Sequence, residues 1–170
     1  MYEGGLYFVT LTVVGWIDVF SRKDYCVELI DNLNYCISHK NLEVYEFCIM
    51  PSHVHMIASA SNGLLSNILR DFKSFTAKQI IKSIKRNRQE SRKEWLLYLF
   101  EYFGKRNKHN AQYQFWQQHN HPIDLFSNKF IDQKATYILE NPVEAGLVNS
   151  PENYIYSSAN PLCRLKLSEL

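Results

Sequence analysis

Two imidazoles one residue apart, His53 and His55, lie inside the otherwise apolar run Cys48-Ile49-Met50-Pro51-Ser52-His53-Val54-His55-Met56-Ile57-Ala58. Side chains alternate across a strand, so an extended backbone sends both rings to one face and Val54 to the opposite layer. Two nitrogen donors on one rigid strand make half of a metal site, although the same spacing also occurs by accident in strands with no metal. His119 and His121 repeat the spacing, but Asn120 and Pro122 disfavour a strand there, and a loop is the poorer ligand platform. Tyr137 and Asn141 stand four residues apart in a segment of helical periodicity and project from neighbouring points on one face. A phenol beside an amide is also a common structural pair, a buried Tyr with a capping Asn.

Charge is unevenly spread. Between Arg70 and Lys108 there are 12 Lys or Arg against 4 Asp or Glu, within a chain whose net charge is only +2. A basic helical segment over 66–108 suits a phosphate backbone, and it also suits a solvated helix face. Lys73, Lys78, Lys82, Lys85 and Arg86 are its candidate phosphate contacts. Just beyond it, Trp116 and Gln117 bring an aromatic and an amide together, groups that can stack on and hydrogen-bond to unpaired bases. Burial in a core is the competing reading of Trp116.

Several elements must hold these groups in place. With 170 residues and 46% apolar content, the chain reads as one folded domain over 1–170. No apolar run approaches the roughly 20 residues of a membrane span, and the N-terminus has no signal-peptide pattern, which points to the cytoplasm. Cys26, Cys36, Cys48 and Cys163 form no Cys-x-x-Cys pair and read as buried free thiols.

Leu6 to Trp16 alternates as a strand closed by Gly15, and Ser21-Arg22-Lys23-Asp24 has the form of a capping box opening a helix to about His39. Val44–Met50 and His53–Ala60 read as strands joined by the Pro51-Ser52 turn. Ile68, Leu69, Phe72, Phe75, Ile80 and Ile84 form the apolar stripe of a second helix from Ser66 to Arg86. A short aromatic helix, Trp95 to Phe103, is expected to stop at Gly104. The helix carrying Tyr137 is expected over about 128–141, capped by Asn128 and ended by Pro142 and Gly146, with Tyr154–Ser157 as a closing strand.

Met50-Pro51-Ser52-His53-Val54-His55, followed later by Tyr137-Ile138-Leu139-Glu140-Asn141-Pro142-Val143-Glu144-Ala145-Gly146-Leu147-Val148, resembles the IS200-like single-tyrosine transposases. The resemblance is nearest to the branch of REP-associated tyrosine transposases and extends over nearly the whole chain. It implies a ferredoxin-like α/β fold of the split βαβ kind, a central antiparallel sheet with helices packed on one face. The strand, helix, strand, strand, helix order read from periodicity agrees with that fold.

By the same resemblance His53, Val54 and His55 match the family's HUH motif, Tyr137 its nucleophile and Asn141 its third metal ligand. Glu144 stands where the family more often carries a basic residue. The implied chemistry is cleavage of single-stranded or hairpin DNA through a 5′-phosphotyrosine, assisted by Mg²⁺ or Mn²⁺. The tyrosine would come from the same chain or from a swapped partner in a homodimer. Two alternatives have other chemistry: a domesticated hairpin-DNA-binding protein without transposition, and a metal-dependent hydrolase with no covalent step. No sequence feature names a general base.

Overall fold

Alternate residues of β1 (Tyr7–Thr12) serve two different cores: Tyr7, Val9 and Leu11 enter the larger one, and Phe8 enters a smaller one across the sheet. The same division runs through β2 (Leu42–Met50) and β3 (His53–Ala60). Val54, Met56 and Ala58 join the larger core, while Ile57, Cys48 and Met50 join the smaller. The computed structural model describes residues 1–107, 112–120 and 122–169. Within them β4 (Ile123–Asp124) completes a four-stranded sheet of order β2-β3-β1-β4, in which every neighbouring pair is antiparallel. β3 fits between the two strands that the first helix connects, which is the split βαβ arrangement expected.

That first helix, α1 (Lys23–His39), buries Tyr25, Cys26, Leu29, Ile30, Leu33 and Cys36 at three- and four-residue spacing. α2 (Leu65–Arg86) lays Leu65, Leu69, Phe72, Ile80, Ile81 and Ile84 on the same core, and α3 (Lys93–Lys105) adds Leu96 and Phe100. α4 (Asn128–Glu144) packs on the other face, where Ile138 meets the group of Phe8, Cys48, Met50, Ile57 and Leu125. One-sided helix packing is thereby corrected: the second face carries too much apolar surface to stay in water. Burying Ile138 contributes about 2 kcal/mol. Only Ile138 and Pro142 of α4 are buried, so the helix that carries Tyr137 is the most shallowly seated of the four.

Other departures are local. The first strand ends at Thr12, because Gly15 and Trp16 turn the chain with φ of 63° and 56°. The Ser21 hydroxyl donates to the Asp18 carbonyl, so no capping box forms, and Ser127 rather than Asn128 precedes the first residue of α4. Gly104 lies inside α3 because a Cβ there would stand 2.3 Å from the Gln112 carbonyl oxygen; close packing, not helix termination, selects it. Pro142 likewise lies inside α4, and the stop comes at Gly146, with φ of 70°. Phe75, placed in the apolar stripe, is 52% exposed.

In place of a closing strand, Ser157 makes a single bridge to Cys48, and the backbone bonds Tyr156 to Ile49 and Ser158 to Phe47 cover the β2 edge. Cys26, Cys36 and Cys48 are buried and free, and Cys163 is half-buried and free. Among the described residues no helix is long and apolar enough to cross a membrane.

Candidate active site

The register of β1 against β3 sets Thr12 opposite His53, Thr10 opposite His55 and Phe8 opposite Ile57, so these side chains share the face covered by α4. The turn before His53 is anchored by Val13 N–H donating to Ser52 O and Phe20 N–H to Pro51 O, both at 2.9 Å. The two imidazole centroids are 4.6 Å apart. His55 is 5% exposed, stacks on Phe8 at 5.3 Å and sets Nδ1 2.8 Å from Thr10 Oγ1. His53 sets Nδ1 3.1 Å from Ser52 Oγ.

Burial, then the charges of His53 and Lys134, pushes His55 down to about 3, and burial lowers His53 as well. Both rings are therefore neutral near pH 7. When each Nδ1–H donates to its hydroxyl partner, both Nε2 lone pairs are left for a cation, the usual outer support of a metal-bound imidazole. The donor chemistry thus fits a divalent ion. Among the described residues no three His, Cys, Asp or Glu side chains cluster closely enough to hold one, so a third ligand drawn from those residues would be of another type.

α4 brings Tyr137 over this pair. Its Oη lies 3.5 Å from His55 Nε2, with ring centroids 5.2 Å apart, and the side chain is 40% exposed. The contact is made within one chain, and no swapped subunit is needed for it. Asn141 follows one helical turn later and is half-buried. Sequence reasoning missed Lys134, one turn before Tyr137, whose ammonium sits 4.7 Å over the Phe8 ring and 5.6 Å from the Tyr137 ring. Its spacing of three from Tyr137 was the signal available. Thr10 was also missed, since its role depends on strand register.

The basic segment is not brought to the same place. α2 packs on the opposite face of the sheet, and its exposed Lys78, Lys82, Lys85 and Arg86 stay with it. Lys85 lies 4.4 Å over the Tyr113 ring. Lys73 is half-buried, is pulled down to about 8 by burial, and donates to Gln117 O at 2.5 Å and Asn120 Oδ1 at 2.7 Å. It ties α2 to the segment after Trp116 rather than standing free for phosphate.

Trp116 is 5% exposed, and its indole N–H donates to Thr76 Oγ1 at 3.0 Å. A ring so enclosed cannot stack on a base, which corrects the DNA-binding reading in favour of a core anchor. Gln117 is half-buried and its backbone N–H donates to Thr12 O. His119 lies in the loop, and His121 falls outside the described residues.

Residues 17–118 match the family described as IS200-like transposases. The chain belongs to the IS200-like transposase family. The matched stretch includes His53 and His55 and stops short of Tyr137 and Asn141. In shape this family member is similar to a REP-associated tyrosine transposase solved bound to a REP hairpin, with a TM-score of 0.60, 16% identity, and coverage of 92% of this chain and 78% of that one. At that identity the likeness shows a shared fold. A candidate transposase from Deinococcus radiodurans R1 has a TM-score of 0.48 at 16% identity, over 82% of this chain and 92% of that one, too low a likeness to carry weight. A search of curated protein sequences gives no match.

Proposed function

We propose that this transposase is a metal-dependent single-strand DNA endonuclease and strand transferase of the REP-associated branch, acting on single-stranded or hairpin DNA. Tyr137 is the nucleophile. A bond forms between its oxygen and the scissile phosphorus as the bond from phosphorus to the 3′ oxygen breaks. The phenol proton goes to solvent, and the departing oxygen takes up a proton to become a free 3′-hydroxyl. The 5′-phosphotyrosine keeps the energy of the cleaved linkage, so a 3′-hydroxyl of another strand can reverse the step without ATP.

His53 and His55, through Nε2, together with Asn141, would hold Mg²⁺ or Mn²⁺. Such an ion supplies Lewis-acid polarisation of the phosphodiester when bound. Lys134 supplies positive charge beside the phenol for the anionic phosphate oxygens. Partial exposure of Tyr137 leaves an approach for a strand that has no complementary partner in the way.

The observation that carries this reading is the 3.5 Å approach of Tyr137 Oη to His55 Nε2, from residues 82 apart in sequence. Hairpin DNA as the substrate class is supported by the protein of like fold solved with a REP hairpin. Oligonucleotides from the flanks of the protein's own gene test it on a denaturing gel. Wild type gives a covalent protein–DNA band, and Tyr137→Phe gives none while still binding DNA. A band from Tyr137→Phe overturns the assignment.

A further inference from the structure

We propose that Trp16 is a nucleobase-stacking residue: its exposed indole, set edge-on to His53, receives an unpaired base of the strand whose phosphate lies at His53, His55 and Tyr137. The inference rests on the reading of that site as one that cleaves DNA, and it adds a residue that holds the strand.

Backbone conformation is the first reason. Trp16 has φ of 56°, the left-handed region that bulky side chains avoid. Its neighbour Gly15, at φ of 63°, has no room for a side chain, since a Cβ there would lie 2.8 Å from the Phe103 ring. Hydrogen bonds hold the turn: Trp16 N–H to Val13 O at 3.0 Å, Val13 N–H to Ser52 O at 2.9 Å and Val14 N–H to Phe115 O at 2.8 Å. Strain kept in place by its surroundings in this way concentrates at functional sites.

Exposure is the second. The indole is 60% exposed, whereas Val14 and Ile17 on either side of the turn are buried. Glycine or asparagine would suit the backbone better and leave less apolar surface in water, so folding alone does not account for a tryptophan. The exposed neighbours are Gly15 and Asp18, and Asp18 is held by Arg92 at 2.9 Å. Along the chain the ring is thus flanked by glycine and a paired carboxylate rather than by further exposed apolar side chains.

Position is the third. The Trp16 ring centroid lies 5.4 Å from that of His53, His53 lies 4.6 Å from His55, and His55 lies 5.2 Å from Tyr137. The indole therefore ends a continuous row of rings that begins at the nucleophile. A strand laid across the imidazoles brings a base beside the phosphate within reach of it, and base–aromatic stacking tolerates any base.

The test measures binding in a Tyr137→Phe background, so that DNA stays uncleaved. The probes are a fluorescein-labelled single-stranded oligonucleotide from the gene's flank and the same strand with abasic sugars beside the cleaved phosphate. Trp16→Gly, which accepts the left-handed backbone, should melt no lower than the background protein and bind the intact strand about 10-fold more weakly. Trp16→Phe should lose less, and the abasic strand should bind Trp16→Gly and its parent equally.

Equal affinity for the intact strand overturns the proposal. So does the same loss on the abasic strand, a melting point many degrees lower, or a change of oligomeric state in sedimentation with DNA binding intact. Failure of the cleavage reading is seen separately, as the absence of a covalent band from the protein with Tyr137 intact.

Discussion

Thr10 Oγ1 and His55 Nδ1 stand 2.8 Å apart on neighbouring strands, placed opposite each other by the β1–β3 register. That bond orients a buried ring and, with Nδ1–H donated, points Nε2 toward the Tyr137 oxygen. Thr10→Val keeps the branched shape and removes the acceptor. Loss of such outer support typically costs 10- to 100-fold in metal affinity or activity. Cleavage measured against Mn²⁺ concentration should therefore need more ion in Thr10→Val, with far-ultraviolet dichroism unchanged. An identical Mn²⁺ dependence would leave the Thr10 contact without a functional role.

Lys134 makes no ion pair among the described residues and lies over Phe8 beside Tyr137. A cation so placed favours the charge that builds on phosphate oxygens during attack, a contribution on the order of 100-fold when one such donor is removed. Lys134→Gln should slow formation of the covalent band by about that factor and alter oligonucleotide binding little, and Lys134→Arg should recover part of the rate. A Lys134→Gln protein that cleaves at the wild-type rate removes the residue from the chemistry.

The placement of both halves of the candidate site, on a strand and on a helix, was legible for different reasons. A strand's period of two placed His53 and His55 on one face without any knowledge of the partner strand, and the helical spacing of Tyr137 and Asn141 did the same for α4. Sequence could not say which face of the sheet α4 would take, because that depends on the apolar surface left by Phe8, Cys48, Met50 and Ile57 once α1 and α2 had covered the other side. Thr10 was illegible because strand register is non-local. β4 is too short to show any periodicity, and its pairing with Tyr7 and Phe8 depends on the neighbouring strand. The lysines of α2 showed their charge but not their use: Lys73 turned out to be held by Gln117 and Asn120.

Acid stability should depend on Glu90, which is 4% exposed, accepts hydrogen bonds from the Arg92 backbone at 3.1 Å and its guanidinium at 3.2 Å, and lies 3.5 Å from Arg22 Nε. Burial pushes this carboxyl up, but the Arg92 hydrogen bonds and then the charges of Arg92 and Arg22 outweigh it and hold it below its usual value. The unfolded chain thus takes up the proton more readily. The stabilisation is full above the ordinary glutamate range near pH ~4.3 and is lost as pH falls through the lowered value. Denaturant unfolding of Glu90→Gln should show a deficit of roughly 2 kcal/mol at pH 7 that shrinks in acid. A deficit that stays constant down to pH ~2 would mean that the carboxylate charge contributes nothing.

Trp116 offers a test in which stability and DNA binding must move in opposite ways under the two readings of the residue. As an enclosed core ring bonded to Thr76, it should cost about 3–5 kcal/mol on Trp116→Ala. Thr76→Val, which leaves the indole N–H without its acceptor, should cost about 1–3 kcal/mol. Because the ring does not reach solvent, folded Thr76→Val protein should bind a single-stranded oligonucleotide as wild type does. A stacking role would produce the reverse: Trp116→Ala would keep the wild-type unfolding midpoint and lose affinity. Urea unfolding and fluorescence anisotropy on the same three proteins decide between them, since no arrangement of a ring 5% exposed can leave stability untouched while contacting a base.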